Sequence, residues 1–300
     1  MSVASPQLSV SALAQMVGLR EPAPARPVEW VAQESPDPEI ELLSGHVSVT
    51  AQGDTIPCLL LRPRGDGPKP AVVAIHQHNN EYHLGKSEPA GLAGDPHAAY
   101  GLALAREGFL VAIPDLMGFE DRGTAYARTG RELELFLALN AVANGGSLHG
   151  QHVSDVLAVA DYLRTFEEIS GNVAVAGHSL GGQLALLVLA LAPDITAGAI
   201  SGGLTTLAAC RRADVLHNAG WYLPGLEAAG DYPAIARMIA GKRVLSVSAS
   251  HDEHFPADGA HEVLDAFAPG TVDSRWRTGT HPMDADTLNL VAIWLADNHD

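Results

Sequence analysis

Val173–Gly182 reads VAVAGHSLGG, an apolar β-type run that stops abruptly at Gly177-His178-Ser179-Leu180-Gly181. This is the pattern Gly-x-Ser-x-Gly. Val173–Gly177 predicts a short buried strand, and Leu180–Leu191, apolar but for Gln183, predicts the helix behind it. Between them a serine would sit on a strained strand-to-helix turn with its hydroxyl lifted clear, and glycine on either side lets the two backbones pass without a Cβ between them. The alternative role for Ser179 is a helix N-cap, but the strand–turn–helix setting favours a nucleophile.

Working outward, strands and helices alternate. Strands are expected at Ala71–His76, Phe109–Pro114, Ala197–Ser201, Val244–Ser248 and Val272–Arg277. Helices are expected at Pro96–Glu107, Arg131–Val142, His149–Glu168, Gln183–Leu191, Asp258–Phe267 and Asp284–Asn298. Short buried strands separated by amphipathic helices imply a mostly parallel sheet covered on both faces, with the ligand off the carboxyl ends of the strands. Upstream, His46–Thr50 and Thr55–Arg62 flank Gln52-Gly53-Asp54 and read as a β-hairpin. Residues 1–38 carry Pro6, Pro22, Pro24, Pro27, Pro36 and Pro38, which favours a Pro-rich arm with one short helix over Ser9–Val17, ahead of a domain at 39–300. Gly202–Lys242 is longer than the usual connection between helix and strand and reads as a cap-like insertion, with a pair of ordinary helices over a packed Trp as the alternative.

The 300 residues are 47% hydrophobic with a formal net charge of −17, and their 18 Lys and Arg form no basic run, which argues against nucleic-acid and anionic-membrane partners. Cys58 and Cys210 are far apart and lack zinc-ligand spacing, so neither a disulfide framework nor a zinc site is expected. The N-terminus lacks the charge and apolar core of a signal peptide, and the longest apolar run, Leu184–Ala192, is too short for a bilayer span before Pro193 ends it. A cytoplasmic location is the simplest expectation.

A serine hydroxyl needs a base beside it and a group that orients that base. In sites built on such a turn the partners follow in chain order serine, acid, histidine. Asp252 comes directly after the strand Val244–Ser248 and is the leading acid, with Glu253 and Asp258 as runners-up. His281, in the loop between the last strand and the last helix, is the expected base. Surface roles, capping for Asp252 and simple exposure for His281, are the alternatives. An oxyanion needs preorganised donors, here the Leu180 N–H and a second from the Gln77 or His78 backbone after Ala71–His76. Phe119, Trp221 and Tyr222 are expected to line the substrate pocket. His76, His78, His83 and His97 raise a metal reading, but no acidic or Cys ligand has matching spacing, so neither metal nor cofactor is expected. His178, inside the turn, reads as a packing residue.

With these residues in place the chain resembles the dienelactone-hydrolase-like and acetyl-xylan-esterase-like branch of the α/β-hydrolase superfamily, from about Pro70 to Met283. The resemblance is carried by AVVAIHQHN, FLVAIPDLMGFEDR, SLHGQHVSDVLAVADYL, the serine turn, and HNAGWYLPGL followed by DYPAIARMIAGKRVLSVSASHDEHFP. It implies an α/β-hydrolase fold and a cofactor-free ester or lactone hydrolase using Ser179, Asp252 and His281, although Gln77 stands where relatives often have Gly. The same triad also serves acyl transfer, cyclisation or C–C bond hydrolysis, and a non-catalytic binding protein is a third reading. A small-molecule ester or lactone is the expected partner, and a homodimer is compatible with the Pro-rich arm.

Overall fold

The computed structural model describes residues 8–20, 26, 28–48 and 54–299. Nine strands form one sheet: β1 Val31–Gln33, β2 Ile40–Ser48, β3 Thr55–Pro63, β4 Lys69–Ile75, β5 Leu110–Pro114, β6 Ile169–His178, β7 Ala197–Ser201, β8 Arg243–Ala249 and β9 Val272–Arg277. The helices are α1 Val10–Val17, α2 Tyr100–Arg106, α3 Glu120–Gly123, α4 Gly130–Ala143, α5 Leu148–Leu163, α6 Leu180–Leu191, α7 Leu207–Arg212, α8 Asp231–Ala236, α9 Ala257–Leu264 and α10 Ala285–Asn298.

The sheet order is β1-β2-β3-β5-β4-β6-β7-β8-β9. From β5 to β9 every neighbouring pair is parallel, and β1, β2 and β3 add an antiparallel edge. Strands β4, β5 and β6 are Val/Ala/Ile-rich because both of their faces are buried, one under α5 and α6 and the other under α2 and α10. The expected fold class therefore holds, with the polar loops gathered at the carboxyl ends of the parallel strands.

Helix α6 explains why its sequence is apolar almost all round. Every residue from Leu180 to Leu191 is buried, since α1, α5 and α8 cover the sides the sheet does not. The N-terminal helix belongs to this layer. Ser9 caps α1, Leu13 and Val17 are fully buried, and Arg20 bonds the buried Asp155 of α5 at 2.7 Å. This part of the 1–38 segment thus packs on the body, and Val31–Gln33 adds an edge strand that sequence periodicity did not show.

Other boundaries shift for local reasons. The hairpin strands pair over Ile40–Ser48 and Thr55–Pro63, so β2 starts well before His46, while Gln52 and Gly53 lie outside the described residues. The helix expected over Pro96–Glu107 splits at Ala99 (φ −79°, ψ 42°) into a 3₁₀ turn, Pro96–Ala98, and α2. The helix expected to reach Glu168 ends at Leu163, where the Thr165 hydroxyl and amide both bond the Tyr162 carbonyl, freeing the chain to start β6 at Ile169 opposite Lys69.

Candidate active site

The turn after β6 is held by close approach. Ser179 has φ 55° and ψ −117°, outside the regions L-residues ordinarily occupy, and its N–H bonds the Ser201 carbonyl of the neighbouring strand at 2.9 Å. A Cβ on Gly181 would overlap the Ile75 carbonyl oxygen, and one on Gly177 would overlap Gly181 itself. The flanking glycines let β4, β6 and α6 meet, which leaves Ser179 at the tip. Although Ser179 occupies the N-cap position of α6, its side chain makes no capping bond.

The Ser179 hydroxyl instead donates to His281 Nε2 at 2.8 Å, and His281 Nδ1–H donates to Asp252 Oδ2 at 2.9 Å. The tautomer follows from this arrangement, because a carboxylate only accepts. The second oxygen, Asp252 Oδ1, accepts the N–H groups of His254 and Phe255, each at 2.9 Å, so the residue also braces the turn into α9. Burial alone would raise the Asp252 carboxyl, but the His281 ring and these two amides outweigh it and hold the group below the ordinary carboxylate range. Glu253 reaches only the His281 backbone N–H, at 3.3 Å, and Asp258 pairs with Arg212 on the surface. Of the three candidate acids, Asp252 is the one placed against the ring.

Aromatic packing fixes the His281 ring. Phe255 stacks on it at 5.2 Å and 17°, His178 at 4.8 Å and 26°, and His254 meets it edge-on at 4.9 Å. Burial holds His178 well below its ordinary pKa and so favours its neutral form beside His281. Gly202 (φ 52°) lies beneath both rings, and an added Cβ would stand 3.1 Å from His178 Cε1 and 3.3 Å from His281 Cε1. Gly202→Ala is therefore expected to displace His281 by a few tenths of an ångström and lower kcat by ~10-fold, measured by steady-state kinetics with circular dichroism as the folding control.

Ser179 and His281 open into a cavity of about 200 Å³ whose walls are mostly polar: His78, Asn79, Asn80, Tyr82, Arg131 and Glu134 on one side, and Leu216, His217, Asn218, His254 and Phe255 on the other. The expected pocket aromatics need correction. Phe119 is buried behind this wall, packed on His76, His78 and Tyr82 at 4.9–5.4 Å. Trp221 is fully buried, stacked on Tyr232 at 3.8 Å, while Tyr222 lines a separate open groove with Leu207 and Cys210. The segment 202–242 reaches the cavity through Leu216, His217 and Asn218 instead, while the Trp221 ring packs inward among His217, Tyr232 and Phe255.

One buried side chain ties that segment to α6. Gln183 Oε1 accepts from His149 Nε2 and Asn218 Nδ2, each at 3.2 Å, and Gln183 Nε2 faces His217 Nδ1 at 3.4 Å. This is why a single polar residue interrupts an apolar helix. Among the residues that sequence reading missed, Glu134 had a signal, an acid between Leu133 and Ala138 on the helix face that is buried; His217 and His254 had none.

Leu180, Gln77 and His78, the expected oxyanion donors, all lie at this end of the sheet. Ile75 pairs with Gly177, so the loop after β4 leaves the sheet beside the serine turn. The Gln77 side chain is turned toward the buried Glu88 and only its backbone is left for the site. The histidines weighed as metal ligands disperse. His76 is buried, with Nδ1 on the Gln77 carbonyl and Nε2 on the Leu116 N–H, whereas His83 and His97 are exposed. Among the described residues no group of three or more His, Cys, Asp or Glu is arranged to hold a metal ion.

One curated protein and two solved structures resemble this chain. The Bacillus subtilis (strain 168) protein YtaP, assigned as a hydrolase, is 27% identical over 236 residues, 74% of this chain and 71% of its own. Acetyl xylan esterase 1 from a Thermoanaerobacterium species superposes with a TM-score of 0.69 at 18% identity, covering 96% of this chain and 92% of its own. The glucuronoyl esterase of Solibacter usitatus does so with a TM-score of 0.60 at 12% identity, covering 99% and 95%. At such identities the structural likeness speaks for the fold. No helix of the described residues is long and apolar enough to cross a membrane. The dienelactone hydrolase family model matches residues 56–275, which include the serine turn and Asp252, and the chain therefore belongs to the dienelactone hydrolase family of α/β-hydrolases.

Proposed function

We propose that this hydrolase cleaves small carboxylic esters or lactones through an acyl-enzyme on Ser179. The observation that carries the reading is the continuous chain from Asp252 through His281 to Ser179, ending in a small polar cavity. His281 takes the hydroxyl proton as Ser179 Oγ attacks the ester carbonyl, and returns it to the departing alkoxide. Water, deprotonated by the same ring, then releases the acid. Asp252 keeps Nδ1 protonated and stabilises the imidazolium, and the Leu180 N–H with one amide of Gln77 or His78 receives the oxyanion. Every proton in this sequence is handled by the chain's own side chains, so the mechanism invokes no cofactor.

The cavity volume sets the acyl size. About 200 Å³ suits an acetyl-sized group with part of its alcohol, which agrees with the acetyl esterase among the structural relatives, and residues 202–242 act as the cap that limits it. p-Nitrophenyl acetate is expected to exceed the octanoate in kcat/KM by ~10-fold or more. A fluorophosphonate should label Ser179, and hydrolysis in ¹⁸O-water should place one solvent oxygen in the released acid. Folded protein whose Ser179 stays unlabelled would sink the nucleophile; an acyl group recovered as the ester or amide of an added acceptor, with no free acid, would redirect the site to acyl transfer.

A further inference from the structure

The cavity holds a second buried acid that the Ser179–His281–Asp252 chain leaves unused. Glu134, on the inner face of α4, is 7% exposed and forms part of the same wall. Its Oε1 accepts from His78 Nε2 and from the Ala219 N–H, each at 3.2 Å, and its Oε2 accepts from the Tyr82 hydroxyl at 2.9 Å. His78 Nδ1 accepts the Asn80 N–H at 3.0 Å, so the ring proton is on Nε2 and points at the carboxylate. Two of the three donors lie on the loop after β4, and the third on the segment after β7. Burial would raise the Glu134 carboxyl, but the His78, Tyr82 and Ala219 bonds outweigh it and hold the group lowered, so it stays an acceptor.

Glu134 anchors that loop from outside, through His78 and Tyr82. The start of α6 packs on the Ile75 and His76 carbonyls, so the chain enters Gln77 and His78 next to the serine turn. Directly afterwards Asn79 and Asn80 both take positive φ, 41° and 55°, a left-handed conformation that asparagine adopts more readily than other L-residues bearing a side chain, and the chain turns there. Glu134 bonds the residue before this pair and the second residue after it.

Resting on the reading of Ser179 as nucleophile, we propose that Glu134 is a positioning residue for the oxyanion site, clamping the turn 77–82 so that its backbone N–H faces the tetrahedral oxygen. The carboxylate does not contact the reacting atoms. It acts through the turn, and through Ala219 it couples the cap segment to the same geometry.

The test separates transition-state from ground-state effects in the 300-residue chain. Glu134→Ala is expected to lower kcat for p-nitrophenyl acetate by ~100-fold with KM nearly unchanged, the size of losing one oxyanion donor. The affinity for phenylboronic acid, which forms a tetrahedral adduct on a serine oxygen, should fall by the same factor. Glu134→Gln should recover kcat to within ~5-fold of wild type, because its amide oxygen still accepts from His78 and Ala219 and its NH₂ donates to a reoriented Tyr82 hydroxyl. Tyr82→Phe, which leaves no cavity in the wall, should lower kcat by ~5-fold at constant KM, and decides the matter if Glu134→Ala does not fold. Wild-type kcat and boronate affinity in Tyr82→Phe or in folded Glu134→Ala overturn the proposal, as does a rise in KM alone, which would make Glu134 a substrate contact. Turnover that survives Ser179→Ala would instead overturn the serine reading itself.

Discussion

Ser179→Ala is expected to reduce turnover of p-nitrophenyl acetate by ~10⁴-fold or more, with the fold unchanged. The change deletes the hydroxyl of a residue that is 8% exposed, and among the described residues that hydroxyl bonds only His281 Nε2. Nothing else in the turn depends on it, since the Ser179 N–H and carbonyl keep their bonds to Ser201 and Gln183. Alanine meets the same backbone strain at φ 55° as serine does. The His281 ring keeps its contacts with Asp252, Phe255 and His178, so the variant isolates the loss of the hydroxyl from any loss of geometry. A residual rate above background is expected from the oxyanion donors and binding, as when a single member of such a triad is removed. Single-turnover assays and a thermal melt on one preparation check both halves. A rate within tenfold of wild type would remove Ser179 from the mechanism.

The serine turn was legible because three independent demands fall on consecutive residues: a buried strand, glycines at close approach, and a buried helix. Asp252 and His281 were legible by position, each in the loop after its own strand, but their contact was not, since it depends on β8 and β9 lying in register from Val244↔Val272 to Ala249↔Arg277. The cavity wall was the least legible part. Trp221 is large and apolar and could satisfy either a pocket or the packing of the segment on α6; only the three-dimensional arrangement shows Tyr232 stacked on it. His217 and His254 are single polar residues on irregular segments, where no periodicity marks the face they present. Phe119 illustrates the same ambiguity one layer in, behind His78 and Tyr82.

Asp252→Asn is the sharper probe of how the base is set, and it is expected to lower kcat by ~10⁴-fold at neutral pH. The amide oxygen can still accept the His254 and Phe255 N–H groups that Asp252 Oδ1 accepts now, so the loop into α9 keeps its shape. The position of Oδ2 becomes an NH₂ group facing His281 Nδ1. Two donors cannot face each other, so the imidazole proton moves to Nε2, which then points a hydrogen at Ser179 Oγ and can no longer take one. Glu253→Gln is the control, because that exposed carboxylate reaches only the His281 backbone, and its effect should stay within ~3-fold. Stability supplies a second readout with a definite sign. The folded Asp252 carboxyl lies below its ordinary value of 3.8, so its contribution is fully present above that pH and disappears as pH falls through the lower folded-state value. The stability that Asp252 adds over Asn should therefore persist above pH 3.8 and fall away in stronger acid, as thermal melts of the two proteins would show. A variant that kept wild-type kcat at neutral pH would show that His281 finds its tautomer without Asp252, and the mechanism would need another acid.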